Sequence, residues 1–438
     1  MLQKFTLPNG IQVVAYDMPS VRSFHLRVSV KGGSLVESDQ DNGIAHFMEH
    51  ILVQGIPSYP TPESLSQFIE SLAGSYNAFT SQLLVSFSIT VPNLHAKDAT
   101  KIASEVFFHP LFNEKDIERE RSVVINEIKQ DMDSRWYKFS EFFREKRFTK
   151  ESKLRIKTVG SIDVVERLTK QDLVSYWEKY FLPKNTYILV IGNLSEIDLE
   201  GLIAQYFGEI QSDKIFEGFE NHGADDLSGR TVAIRNDPEL QVNYIDLTFP
   251  SLSMKDALQE RIEENIADVI LGGLSSSRLF RLLRHERGLV YGVTSQNTRY
   301  PFVGYGSVSS EVASDRLDEV LALITTELRT YLQTGPTTAE VDFTKHYLTN
   351  SWLMSFDHPG SIANWIESEL LWKDDQEGEK ILLPDDYIAL LENVSKKTIT
   401  QTLQKHWDFS KVNLLLQGPL VDTKEDREKY AAIIENLR

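Results

Sequence analysis

The chain carries one strand–glycine–helix unit twice, and a duplicated unit leaves few folds open. Tyr180-Phe181-Leu182-Pro183-Lys184-Asn185 leads into an apolar run from Tyr187 to Ile191, then Gly192 and an amphipathic stretch. His406 and Trp407 lead in the same way into Val412 to Leu416, then Gly418 and a last amphipathic stretch, an offset of 418 − 192 = 226. Tyr76-Asn77-Ala78-Phe79-Thr80 resembles Tyr291-Gly292-Val293-Thr294 at an offset of 291 − 76 = 215, and a second β-rich run follows each. Strands alternating with long helices place both halves in the α+β class, each a mostly antiparallel sheet with helices packed on one face. The polar stretch Ser212 to Gly229, with Gly218, Asn221 and Gly223, reads as the junction. The expected division is an N-terminal domain 1–215, a linker 216–229 and a C-terminal domain 230–438.

At 438 residues the chain exceeds one ordinary core, which fits two domains of about 200 residues each. The net charge, 46 − 64 = −18, repels nucleic acid and favours cationic partners, besides serving solubility. No apolar run approaches the roughly 18 residues that span a bilayer, so no membrane partner is expected. The start, MLQKFTLPNG, lacks a basic stretch followed by an apolar core and reads as a strand entering an Asn-Gly turn. With no cysteine, a reducing, cytoplasmic setting is the expectation.

Only the first half carries obvious chemistry. Residues 43–50 read GIAHFMEH, in which His46, Glu49 and His50 form His-x-x-Glu-His, the inverted zinc-protease helix signature. Two imidazoles four positions apart project from one helix face and can reach one tetrahedral zinc. A solvated histidine pair is the ordinary alternative. Against it, Ile44, Ala45, Phe47, Met48, Ile51 and Leu52 make this an interior helix, where polar side chains need partners and a metal supplies them together. Catalytic zinc takes three protein ligands and leaves the fourth position to water, so a third ligand is required. In the helix-forming segment 113–133, Glu120 and Glu127 lie at the edge of the stripe made by Ile117, Val124 and Ile128. Glu127 is the candidate third ligand, and Glu120 can orient a ligand from behind. Where the second copy would repeat the motif, Arg261 to Asp268 reads RIEENIAD and has no histidine.

Taken in order, GIAHFMEH, SYNAFT at Ser75 to Thr80 and ERERSVVINEI at Glu118 to Ile128 resemble the pitrilysin-type (M16) peptidases. In that family a Glu follows the His-x-x-Glu-His after 76 intervening residues, and here 127 − 50 = 77 leaves 76 between. The chain length resembles the short subfamily related to mitochondrial processing peptidase subunits. The resemblance implies a LuxS-like metallohydrolase fold and one Zn²⁺ per chain held by His46, His50 and Glu127. It also implies Glu49 as general base and Glu120 as support. Asn77 and Ala78 match the edge strand along which relatives lay an extended peptide. The segment SSRLFRLLRHERGLVYGV resembles the one that supplies an Arg and a Tyr to the peptide, here Arg284 and Tyr291. The implied activity is a zinc endopeptidase acting on extended, unfolded peptides as a homodimer, and the acidic balance of the chain favours basic peptides among them. A noncatalytic peptide-binding or scaffold subunit is the alternative.

Overall fold

The computed structural model describes residues 2–220, 230–372 and 380–437, so 221–229 of the expected linker lie outside the described residues. The chain forms two compact units, neither continuous in sequence: Met1–Ser134, Lys153–Glu220 and Ser355–Leu371 form the first, and Arg135–Ser152, Asn221–Met354 and Trp372–Arg438 the second. Each half of the chain therefore lends a helical segment to the other's unit.

The first unit is built on β1 (Leu2–Thr6), β2 (Gln12–Asp17), β3 (Ser23–Lys31), β4 (Ser75–Thr80), β5 (Leu84–Pro92) and β6 (Thr186–Gly192), in the order β1-β2-β6-β3-β5-β4. β2 and β6 are parallel and the other pairs antiparallel. Burial explains the order. TYILVIG of β6 is buried along its whole length and lies inside the sheet, whereas LQKFT of β1 is half-exposed and ends it. β3 alternates as a two-sided strand must. Its Phe24, Leu26, Val28 and Val30 enter the main core with helices Ile44–Leu52, Ala96–Phe108 and Lys170–Tyr180. Its polar positions receive the helix Pro359–Trp372: Arg27 meets Glu367 at 3.0 Å and Asn364 at 2.8 Å, and Ser29 donates to Glu367 at 2.6 Å.

The second unit repeats the plan with β7 (Thr231–Asn236), β8 (Asn243–Ser251), β9 (Val290–Arg299), β10 (Gly304–Val312) and β11 (Asn413–Gly418), in the order β7-β11-β8-β10-β9. Only β7 and β11 are parallel. Ile245, Leu247 and Phe249 of β8 face the core. Across the sheet, Phe139 and Phe142 of the helix Arg135–Arg147 pack on Leu415, and the fully buried Arg147 stacks on the Tyr305 ring at 4.5 Å.

The two ladders superimpose in register. Arg27 pairs with Leu189 and Ser88, Asp246 pairs with Leu415 and Ser309, and 189 + 226 = 415. Arg27 and Asp246 thus occupy equivalent places with opposite charge. The same register corrects one pairing read from the sequence. Asn77 lies opposite Ser88 and Thr294 opposite Ser309, so Asn77 corresponds to Thr294, and the Tyr76–Tyr291 match slips by two. Matching tyrosine to tyrosine follows side-chain identity, whereas the ladder follows backbone pairing.

Candidate metal centre

The histidine helix, Ile44–Leu52, buries Ile44, Ala45, Phe47, Met48, Ile51 and Leu52, which leaves His46, Glu49 and His50 as one polar stripe. His46 is buried, and Glu49 and His50 are half-buried. The facing helix, Glu114–Asp133, buries Ile117, Glu120, Val124 and Ile128 at helical spacing, so Glu120 takes a place in its apolar stripe. Glu127 is less inward than the sequence pattern suggests, its side chain 42% exposed, because it opens toward the two imidazoles.

One donor atom from each of His46, His50 and Glu127 lies within 4.8 Å of the others, the only such group among the described residues. Glu127 Oε2 stands 3.3 Å from His50 Nε2, and Oε1 stands 3.8 Å from His46 Nε2. The His46 contact is beyond hydrogen-bond length and the His50 contact is at its long end, and two ligands of one tetrahedral zinc, each about 2.0–2.1 Å from it, are separated by about 3.3 Å. The arrangement and the nitrogen–nitrogen–carboxylate donor set therefore fit zinc. Glu120 Oε2 lies 3.3 Å from His50 Nδ1. A proton placed there and donated to Glu120 leaves the Nε2 lone pair facing Glu127, the usual support for a metal-binding imidazole.

The two rings titrate apart. Burial and the neighbouring His50 hold His46 below its usual range, against the opposing pull of Glu49, the Val159 carbonyl and Asp131. Burial also disfavours charge on His50, but the Glu120 hydrogen bond and the charges of Glu127 and Glu49 outweigh it and raise the ring above its usual value. A divalent cation answers the same surplus of carboxylates that a proton on His50 answers, so metal and proton compete there.

The remaining site residues fall in two places. Asn77, exposed, and Ala78, partly buried, lie on β4, the terminal strand of the first sheet, which packs beside the histidine helix. Arg284 and Tyr291 belong to the second unit. Tyr291 is 84% exposed on the terminal strand β9, the Arg284 guanidinium lies 4.9 Å from its ring centre, and Arg284 donates to the Val290 carbonyl at 3.3 Å. In that unit the helix Leu258–Asp268 carries buried Glu264 and half-buried Asp268, four apart. Arg299 pairs with Glu264 at 2.6 Å, Trp407 donates to it at 2.8 Å, and Ser295 donates to Asp268. Protein groups there satisfy what histidines and an ion would occupy in the first unit.

Two participants carry no sequence signal. Glu37, in an ordinary polar loop, accepts hydrogen bonds from the start of the histidine helix, and the Val159 carbonyl acts electrostatically to favour a proton on His46. Nothing periodic marks either position.

Residues 12–161 match the family described as Insulinase (Peptidase family M16), and residues 167–348 match the one described as Peptidase M16 inactive domain. The chain belongs to the M16 peptidase family. It is 26% identical over 362 residues to an uncharacterised zinc protease of Bacillus subtilis, covering 82% of this chain and 86% of that one. It is 25% identical over 432 residues to an uncharacterised zinc protease of Streptomyces coelicolor, covering 97% and 91%. A solved structure from Pseudomonas fluorescens, described as a peptidase M16 inactive domain, shares the fold at TM-score 0.86 and 18% identity, covering 97% of this chain and 99% of that one. The family name "inactive" falls on the segment without the His-x-x-Glu-His motif. No helix among the described residues of this M16 chain is long and apolar enough to cross a membrane.

Proposed function

We propose that this M16 chain is a zinc-dependent endopeptidase that hydrolyses extended, unfolded peptides. The observation that carries the reading is the convergence of His46, His50 and Glu127 within 4.8 Å, with Glu120 behind His50. At these ligands a zinc ion would supply Lewis-acid polarisation of an oxygen and acidification of water. Glu49, on the same helix stripe, takes the proton of the attacking water at its carboxylate and returns it to the leaving amine. At Asn77 and Ala78 the open edge of β4 faces an extended peptide, which gains strand hydrogen bonds there. Arg284 and Tyr291 contact the bound peptide, Tyr291 through its phenol and Arg284 through a peptide carbonyl.

The test combines zinc analysis with turnover of an unstructured peptide. His46→Ala, His50→Ala and Glu127→Ala are expected to lose stoichiometric zinc. Glu49→Gln is expected to keep zinc and lose about 10²–10⁴-fold in turnover. Tyr291→Phe is expected to lower turnover with zinc content unchanged. Undiminished turnover in Glu49→Gln would sink the mechanism, and a wild type that holds zinc yet cleaves no peptide would favour the scaffold alternative. We further propose a two-fold homodimer with a weak preference for basic peptides that fades as salt rises. Light scattering that finds a fully active monomer would remove the dimer.

A further inference from the structure

His46 sits in the one turn of its helix that the helix does not hold. The helix begins at Ile44, and its first internal hydrogen bond, from Phe47 N–H to the Gly43 carbonyl, comes only after His46. The early N–H groups need partners from outside. A side chain at the capping position usually supplies one, but that position is Gly43, with φ 97° and no side chain.

Glu37 takes the task from a distance. Its carboxylate is fully buried, with Oε2 accepting from Gly43 N–H and Oε1 from Ala45 N–H, each at 2.9 Å. The Asn42 side-chain amide donates to the same carboxylate at 2.9 Å and to the Lys157 carbonyl at 2.7 Å. Lys153 donates to the Glu37 carbonyl, and Gly43 touches Gly160 so closely that a Cβ on Gly43 would stand 2.7 Å from the Gly160 Cα. Glu37 therefore joins the connection after β3, the first turn of the histidine helix and the segment 153–160. Burial pushes the Glu37 carboxyl up to about 8, against the opposing pull of the hydrogen bonds from Gly43, Ala45 and Asn42.

We propose that Glu37 is a positioning residue for the metal ligands, holding the turn that carries His46 at the orientation in which its Nε2 meets the His50 Nε2 and the Glu127 carboxylate. His50 lies a full turn later, within the helix's own hydrogen bonding, and does not depend on Glu37. The proposal rests on the zinc reading. A cap that only stabilised the fold would leave zinc affinity untouched in any variant that remains folded.

The test is the zinc dissociation constant by chelator competition, at a temperature where circular dichroism shows each variant fully folded. Glu37→Gln keeps the volume but turns one accepting oxygen into a donor facing an N–H, and zinc affinity is expected to fall about tenfold. Thr169→Ala, which removes the side-chain cap of the helix Lys170–Tyr180, serves as the control and is expected to lower thermal stability while keeping wild-type zinc affinity. Folded Glu37→Gln with zinc affinity within about twofold of wild type would overturn the proposal. Should Glu37→Gln fail to fold, Glu37→Asp, whose shorter side chain draws the carboxylate back from the Gly43 and Ala45 N–H groups, is read in its place, and unchanged zinc affinity there overturns it equally. A wild type that binds no zinc overturns the zinc reading and this proposal with it, whereas a zinc-binding wild type beside unaffected variants overturns this proposal alone.

Discussion

At the scale of single residues, burial decides what each histidine can do. His25 on β3 stands opposite Thr90 and hydrogen-bonds its hydroxyl at 2.8 Å, while burial, with Arg27 close by, depresses the ring to about 4. The unfolded chain, with an ordinary value of 6.5, binds the proton more readily, so His25 contributes stability above pH 6.5 that is lost as pH falls toward 4. Thermal melts from pH 7 to pH 4 should therefore show a shallower acid-side decline in His25→Gln than in wild type, and parallel curves would contradict this. His46, His50 and Glu49 were legible in the sequence because a helix turns a four-residue spacing into one face. Glu37 was not, because its partners are joined by a loop whose path no periodicity encodes.

Among elements, the glycines at the start of the histidine helix act as a contact between two backbones. A Cβ on Gly160, at φ 85°, would stand 2.6 Å from the Gly43 Cα and 2.9 Å from the Asn42 carbonyl. Gly288, at φ 62°, has nothing within 4 Å of the same position. Gly160→Ala thus combines backbone strain with collision and is expected to cost about 2 kcal/mol or more, against about 1 kcal/mol for Gly288→Ala from strain alone. Denaturant midpoints measure the difference, and equal losses would show that the backbone contact is not tight. The element types themselves were readable: the apolar runs into Gly192 and Gly418 are the buried strands β6 and β11, and the segment 113–133 is the helix Glu114–Asp133. The alignment of β4 with β9 was not, since the ladder register follows backbone pairing and tolerates the irregularity between Ser310 and Val312.

For the molecule as a whole, the exchange of helical segments carries its own polarity. Arg27 on β3 receives Glu367, whereas Asp246 at the equivalent place on β8 lies in the field of Arg147, which opposes the upward pull of burial on that carboxyl. A helix bearing Arg147 would set a cation against Arg27, so the charges favour the exchanged arrangement over folding back. Reversing one partner of the buried Arg27–Glu367 pair is expected to cost about 3–5 kcal/mol, and the double variant Arg27→Glu with Glu367→Arg should recover part of that loss. Additive losses in the double variant would show that the pair is not coupled. For the same reason an isolated 1–215 fragment, deprived of Ser355–Leu371, is expected to melt well below the full chain.

The repeat, the class of each half and the polar stripe of His46, Glu49 and His50 can be read along the chain, because they follow from local periodicity and from spacing on one helix. Only the folded chain shows that the ligand Glu120 meets is His50, that Glu37 accepts from the Gly43 and Ala45 N–H groups, and that each unit is completed by a helix from the opposite half. Those contacts join positions between six and more than three hundred residues apart through loops, and nothing in the local pattern of a chain specifies where a loop returns. They are selected by what a buried charge requires, which is a partner, and that partner exists only once the fold has closed around it.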